Sequence, residues 1–219
     1  MDILIRNSSE VCMKKSKRIA LMAFMLALII IFNFVPISFG PVTLGLMILP
    51  VLIMAQMEDL KMTVVTGLLL GVTNLISWYT VKAGALLAPV FQNPLVCILP
   101  RVMIGIVAYA VYHLLSKLLR PKYGEVDGQE VLLNKKQLFV SEKAISVTAT
   151  ACGVLTNTLL VGLMALLLFK GQTFGSTAIS AQWIATLFSV NFVIEVIAFP
   201  IIVPAIVFAL KKIDRKTTV

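Results

Sequence analysis

The sequence predicts an all-α integral membrane protein. It should form a six-transmembrane-helix bundle with both termini cytoplasmic, a single membrane domain over residues 1–219. Three observations carry that reading. First, 59% of the 219 residues are hydrophobic and only 13% are charged, against about 25% charged in ordinary soluble domains. A soluble domain of this length could not enclose so much apolar surface in one core. Second, the charges are spaced. No Lys, Arg, Asp or Glu falls between Arg18 and Glu58, or within 62–81, 83–100, 102–116, 144–169, 171–194 and 196–210. An α-helix needs about 20 apolar residues to cross roughly 30 Å of hydrocarbon. Third, the basic residues gather at alternate ends of these runs, as they do in helical membrane proteins.

The elements follow in order. Helix one, 18–35, comes after Arg6, Lys14, Lys15 and Lys17. It resembles the start of a signal peptide, but no clean small-x-small site follows, so it is expected to be retained. The turn-rich PISFGP (36–41) separates it from helix two, 43–57. Helix three covers 62–80 and helix four 95–118. A mixed-charge cytoplasmic loop, 119–142, leads to helix five, 143–169, and helix six covers 181–210. A bilayer admits only helices or closed barrels. The apolar runs are continuous rather than alternating, which disfavours a barrel.

With both termini inside, sixteen of the nineteen basic residues face the cytoplasm. Lys82 and Lys170 fall outside, and Arg101 lies within helix four. The formal net charge of +9 is therefore topology. No basic stripe with interleaved aromatics is present, which excludes a nucleic-acid partner. There is no phosphate loop, no H-E-x-x-H and no G-x-S-x-G, so neither ATP hydrolysis nor hydrolase chemistry is expected. Cys12, Cys97 and Cys152 have no metal spacing. No cofactor, metal or catalytic residue is expected.

Polar groups at membrane depth are costly and default to function. Here they are Asn33, Gln56, Asn74, Arg101, Asn157, Asn191 and Glu195. At about 1.5 Å per residue, Asn74 and Arg101 each lie roughly 9 Å from the outer end of their helices. Asn191 lies about 15 Å deep, and Asn157 near the midplane. Four polar groups from four helices thus converge on the outer half, as a site for a small polar solute requires. Arg101 and Glu195 have two readings, an ion pair that staples helices four and six or contact with ligand. Trp78 and Trp183, at the predicted outer ends, are either interfacial belt residues or lids on the site. The outer loops carry no acidic residue, which favours an anionic or carboxylate-bearing solute. Two small-xxx-small pairs, Ala23 with Ala27 and Gly67 with Gly71, mark helix faces able to approach closely.

Several of these segments resemble a known family. AFMLA (23–27), PISFGPVTLGLMILPVLIMA (36–55), FQNPLVCILPRVMIGIVAYAVY (91–112) and LTNTLLVGLM (155–164) are similar, in order, to the S components of energy-coupling factor (ECF) transporters. The Asn-Pro to Leu-Pro-Arg start of helix four is closest to the pantothenate-type branch. The resemblance implies a high-affinity binding subunit for a water-soluble vitamin in a bacterial plasma membrane. Its implied partners are a membrane T component and two cytoplasmic ATPases. It implies that Ala23 and Ala27 contact the T component. It also implies that ligand residues come from the outer halves of helices four to six and the outer loops, in agreement with Asn93, Arg101, Asn157, Trp183 and Asn191. The residue reading adds Asn74. One departure is that LMILP (46–50) lacks a histidine expected in many relatives, which leaves the ligand open within the class. Other ligands of the same class are cobalamin, pyridoxine or a pyrimidine. Two further readings change the class: an autonomous proton-coupled carrier using Glu195, and a non-transport scaffold subunit.

Overall fold

The computed structural model describes residues 15–35, 37–39, 42–85, 87–119, 123–126, 129–132, 135–174, 177–178 and 190–216. Side chains are described for 17–35, 45–85, 87–119, 142–173 and 192–213. Within these, the helices are α1 (Lys15–Phe34), α2 (Leu49–Met57), α3 (Leu60–Tyr79), α4 (Ala88–Phe91), α5 (Pro94–Leu118), α6 (Lys135–Phe169) and α7 (Val190–Lys216). A 3-10 turn, Leu46–Ile48, runs into α2. Three short antiparallel ribbons occupy connections: β1–β2 (Ile37–Phe39 with Val42–Leu44), β3–β4 (Tyr123–Val126 with Gln129–Leu132) and β5–β6 (Thr173–Phe174 with Thr177–Ala178). In the first, Ile37 stands opposite Leu44 and Phe39 opposite Val42.

Five described helices contain stretches long and apolar enough to cross a membrane: Lys17–Phe34, Leu60–Tyr79, Pro94–Leu118, Glu142–Phe169 and Phe192–Ile213. They correspond to predicted helices one, three, four, five and six. The expected second crossing, 43–57, is different. Its apolar helix spans only Leu46–Met57, about 18 Å at 1.5 Å per residue, and residues 42–44 form β2 instead. Every residue from Leu49 to Gln56 is buried, and α2 packs against α1, α3, α5, α6 and α7. A helix apolar all round is satisfied equally by lipid or by protein. Here the surrounding helices are its solvent. Pro50, in the first turn, gives up no intrahelical hydrogen bond.

Two other boundaries move. The expected loop 119–142 holds the β3–β4 ribbon and the first turns of α6, which starts at Lys135. Its Lys135, Lys136, Gln137 and Glu142 are polar but good helix formers. Hydropathy alone could not see that extension. The last helix is described from Val190 rather than 181, and it continues to Lys216. Cys12 lies outside the described residues, and Cys97 and Cys152 are free thiols.

The core centres on α2. Val51, Leu52, Ile53 and Met54 pack with Met25 and Ile29 of α1, Leu70 of α3, Ile104 of α5, and Phe199 and Val203 of α7. Glycines set the closest approaches. A Cβ on Gly67 would lie 2.9 Å from the Arg101 carbonyl oxygen, and one on Gly71 would lie 2.8 Å from Ile98 Cα. The predicted Gly67–Gly71 pair therefore seats α3 on α5, backbone to backbone. Gly105 does the same for α5 against Thr63, and Gly153 for α6 against Leu52. Gly71→Leu is expected to push α3 from α5 and cost about 1–3 kcal/mol. The check is the thermal unfolding midpoint in detergent. An unchanged midpoint would show that the two helices are not in this contact.

Polar staples hold the other end of the bundle. Arg18 on α1 bonds both carboxylates of the α2–α3 turn, Nε to Glu58 at 2.7 Å and Nη2 to Asp59 at 2.5 Å. Inside, Gln56 of α2 donates to Thr150 Oγ1 (3.0 Å) and accepts from Ser146, both on α6. Both ends of its amide are thereby partnered, as burial demands.

Candidate functional site

Near the Trp78 end of the bundle, three helices bring polar side chains together. α3 reads T-N-x-x-S from Thr73 to Ser77 within an apolar helix. This spacing turns Asn74 and Ser77 inward, and both are fully buried. Asn33 meets them from α1, with no exposed surface. Its Nδ2 donates to Ile29 O and to Thr73 Oγ1, each at 3.2 Å. Ser77 donates to the Asn33 carbonyl at 3.4 Å.

Arg101 of α5 completes the cluster. It is 4% exposed, so each N–H left without an acceptor there is costly. Its Nη1 donates to the Val96 carbonyl at 3.0 Å. With the Asn74 amide oriented as its neighbours dictate, Asn74 Oδ1 accepts from Arg101 Nε (3.3 Å) and Nη2 (3.0 Å), and Nδ2 donates to Asn33 Oδ1 (3.2 Å). A chain Arg101–Asn74–Asn33 thus crosses α5, α3 and α1. Among the described residues no carboxylate pairs with Arg101. Glu195 is engaged elsewhere, its Oε1 accepting the Gly45 N–H at 2.8 Å. Of the two readings of Arg101 and Glu195, the ion-pair staple is therefore not formed among the described residues. Among the described residues, the 4% exposed guanidinium is met by amide and carbonyl oxygens.

Asn157 approaches from α6. On its Arg18 side, Gly153 lies against Leu52, Ala108 and Ile104. On its other side, Val161 clusters with Val90 and Val96. These neighbours bracket Asn157 at the level of Arg101. Its Oδ1 is sealed from solvent and has no hydrogen-bond partner among the described residues. A buried carbonyl oxygen without a donor is uncommon in a folded protein and calls for an explanation.

The rim above is built by the α3–α4–α5 turn. Trp78 stacks on Phe91 with ring centroids 4.6 Å apart and planes 12° from parallel. Lys82 Nζ lies 5.4 Å from the Trp78 ring centre, within cation–π range. Gln92 donates to the Trp78 carbonyl (3.1 Å), and the Tyr79 hydroxyl donates to the Gln92 carbonyl (3.2 Å). Asn74 and Trp78, four residues apart, share one face of α3, and Lys82 lies in the turn that follows the helix. Burial, and then the positive charge of Arg101, hold the Lys82 ammonium below the ordinary lysine range, with Cys97 opposing weakly. Two cations thus sit within electrostatic reach of each other.

The structure therefore brings Asn74 and Arg101 into direct contact and sets Asn157 at their level. Asn93 serves as the N-cap of α5, its Oδ1 accepting from Leu95 N at 3.0 Å. That role is expected of an Asn directly before a Pro at the start of a helix. Trp183 lies outside the described residues, as does the side chain of Asn191, whose backbone belongs to α7. Ser77 has no place among the sequence candidates, although the T-N-x-x-S pattern puts it on the Asn74 face. Asn33 stands among the polar groups at membrane depth, and helix packing alone sets it beside Asn74.

A family model described as ECF transporter, substrate-specific component, matches residues 17–208 of the chain. Among curated proteins, none matches it.

Proposed function

The chain belongs to the family of ECF transporter substrate-specific components, and from that premise we propose that it captures a water-soluble vitamin bearing a carboxylate, pantothenate foremost, at the Arg101 end of the bundle. Members of this family are integral membrane transport subunits rather than enzymes. They bind a small-molecule micronutrient and work with an ECF membrane T component and its ATPases. For this chain we take six crossings, with α2 as the short buried one, both termini inside and a bacterial plasma membrane as its place.

One observation carries the ligand class. Arg101 is buried with no acidic partner among the described residues, and Lys82 stands in its field. A buried charge needs a counter-charge, and a carboxylate from the ligand would supply it through a charge-assisted, forked contact. Asn157 Oδ1, buried and without a donor among the described residues, would take a hydroxyl or amide hydrogen from the same molecule. Pantothenate offers a carboxylate, an amide and hydroxyls. The test is native mass spectrometry of the purified chain, followed by release and identification of bound small molecules. A vitamin-sized carboxylate is expected. A neutral or cationic ligand in the site would overturn the reading.

A further inference from the structure

Glu195 is the one charged residue in 171–210, and among the described residues it has no bond to the Arg101 cluster. Its Oε1 accepts the backbone N–H of Gly45 at 2.8 Å. Gly45 follows β2 directly and stands beyond the last ribbon pair, Ile37 with Leu44. Its carbonyl accepts from Ile48 to start the 3-10 turn. The Gly45 N–H would otherwise point unpaired into the bundle, where an orphan donor is costly. A Cβ at position 45 would lie 2.8 Å from Glu195 Oε1. Gly45 has φ −77°, open to any residue, so the glycine answers to space and not to backbone conformation. β2 also packs on α7.

We infer that Glu195 is a positioning residue that seats the end of the β1–β2 ribbon, residues 42–45, on α7. The ribbon then hangs between two polar anchors. Its first strand starts four residues after Asn33, which belongs to the Arg101 network. Its second strand ends on Glu195. The carboxylate works as an acceptor for one fixed backbone donor, a task that requires no proton transfer. An ion-coupled carrier would need the same group to exchange its proton, and the two roles predict opposite behaviour for Glu195→Gln.

Hydrogen–deuterium exchange of the full chain in detergent tests this without any ligand, so its outcome is independent of the ligand class proposed above. In Glu195→Leu, peptides covering 42–48 should exchange about tenfold faster, the size of one lost charged hydrogen bond. Peptides from α3 and α5 should be unchanged. Glu195→Gln keeps an acceptor oxygen but loses the charge, and should fall between parent and leucine variant, within about fivefold of the parent. Three results would overturn the inference: unchanged exchange at 42–48 in the leucine variant, acceleration spread over every helix, or a glutamine variant as fast as the leucine one.

Discussion

Arg101→Met should weaken binding of a carboxylate ligand by about 1–3 kcal/mol, which is roughly 5- to 150-fold. Methionine fills most of the arginine's volume and removes its charge, so the loss reports electrostatics more than packing. Among the described residues, acceptors exist for three of the five N–H groups of the guanidinium: the Val96 carbonyl for Nη1, and Asn74 for Nε and Nη2. One hydrogen on each terminal nitrogen remains for the two oxygens of a carboxylate. Arg101→Lys should recover part of the affinity, because it restores the charge without the fork. Calorimetric titration with pantothenate, beside its carboxamide analogue, checks this. Affinity for pantothenate that is equal in parent and methionine variant would sink the carboxylate assignment.

Ala23→Trp and Ala27→Trp should each cut transport at least about tenfold and leave ligand binding by the isolated chain intact. Both alanines are exposed on α1, on a face shared with Ile19, Phe24, Ile30 and Ile31. The opposite face, with Met25, Ile29 and Asn33, is turned to the bundle and fully buried. The small residues thus point away from this chain's own core, toward lipid or a partner helix. In a membrane, helices meet where small side chains let backbones approach. An indole in such a contact costs typically 1–3 kcal/mol or more. The Arg101 cluster lies on the other side of α1 and should not feel the change. Uptake by proteoliposomes containing the chain and its ECF partners, set beside calorimetry on the chain alone, separates the two effects. Full uptake by both variants would remove this face as the docking surface. Loss of binding together with uptake would show that α1 itself had been displaced.

Charge spacing revealed the long apolar helices because placing a charge in hydrocarbon is costly, and that cost acts residue by residue. The Gly67–Gly71 pair was legible for a related reason. Its i, i+4 spacing marks one face, and the structure sets that face on Arg101, Val102 and Ile98. Arg101 stood out as the basic residue that topology did not explain, and it is the buried charge around which the polar cluster forms. Asn93 shows the limit. The family resemblance implies it as a ligand contact, and in the fold its oxygen caps α5. A polar residue before a proline can serve either purpose, and the cap depends on where Leu95 N falls.

The sequence by itself determined which segments avoid water, which helix faces can approach, and where charge sits without explanation. These are properties of single residues and of helical periodicity. The tertiary structure alone decided that α2 is enclosed by protein instead of lipid, because an apolar helix has the same composition in either solvent. It alone decided that Asn33 joins Asn74 and Arg101, and that Glu195 turns to Gly45 and not to Arg101. Hydrogen bonds act over about 3 Å, and which groups come that close depends on how the helices pack.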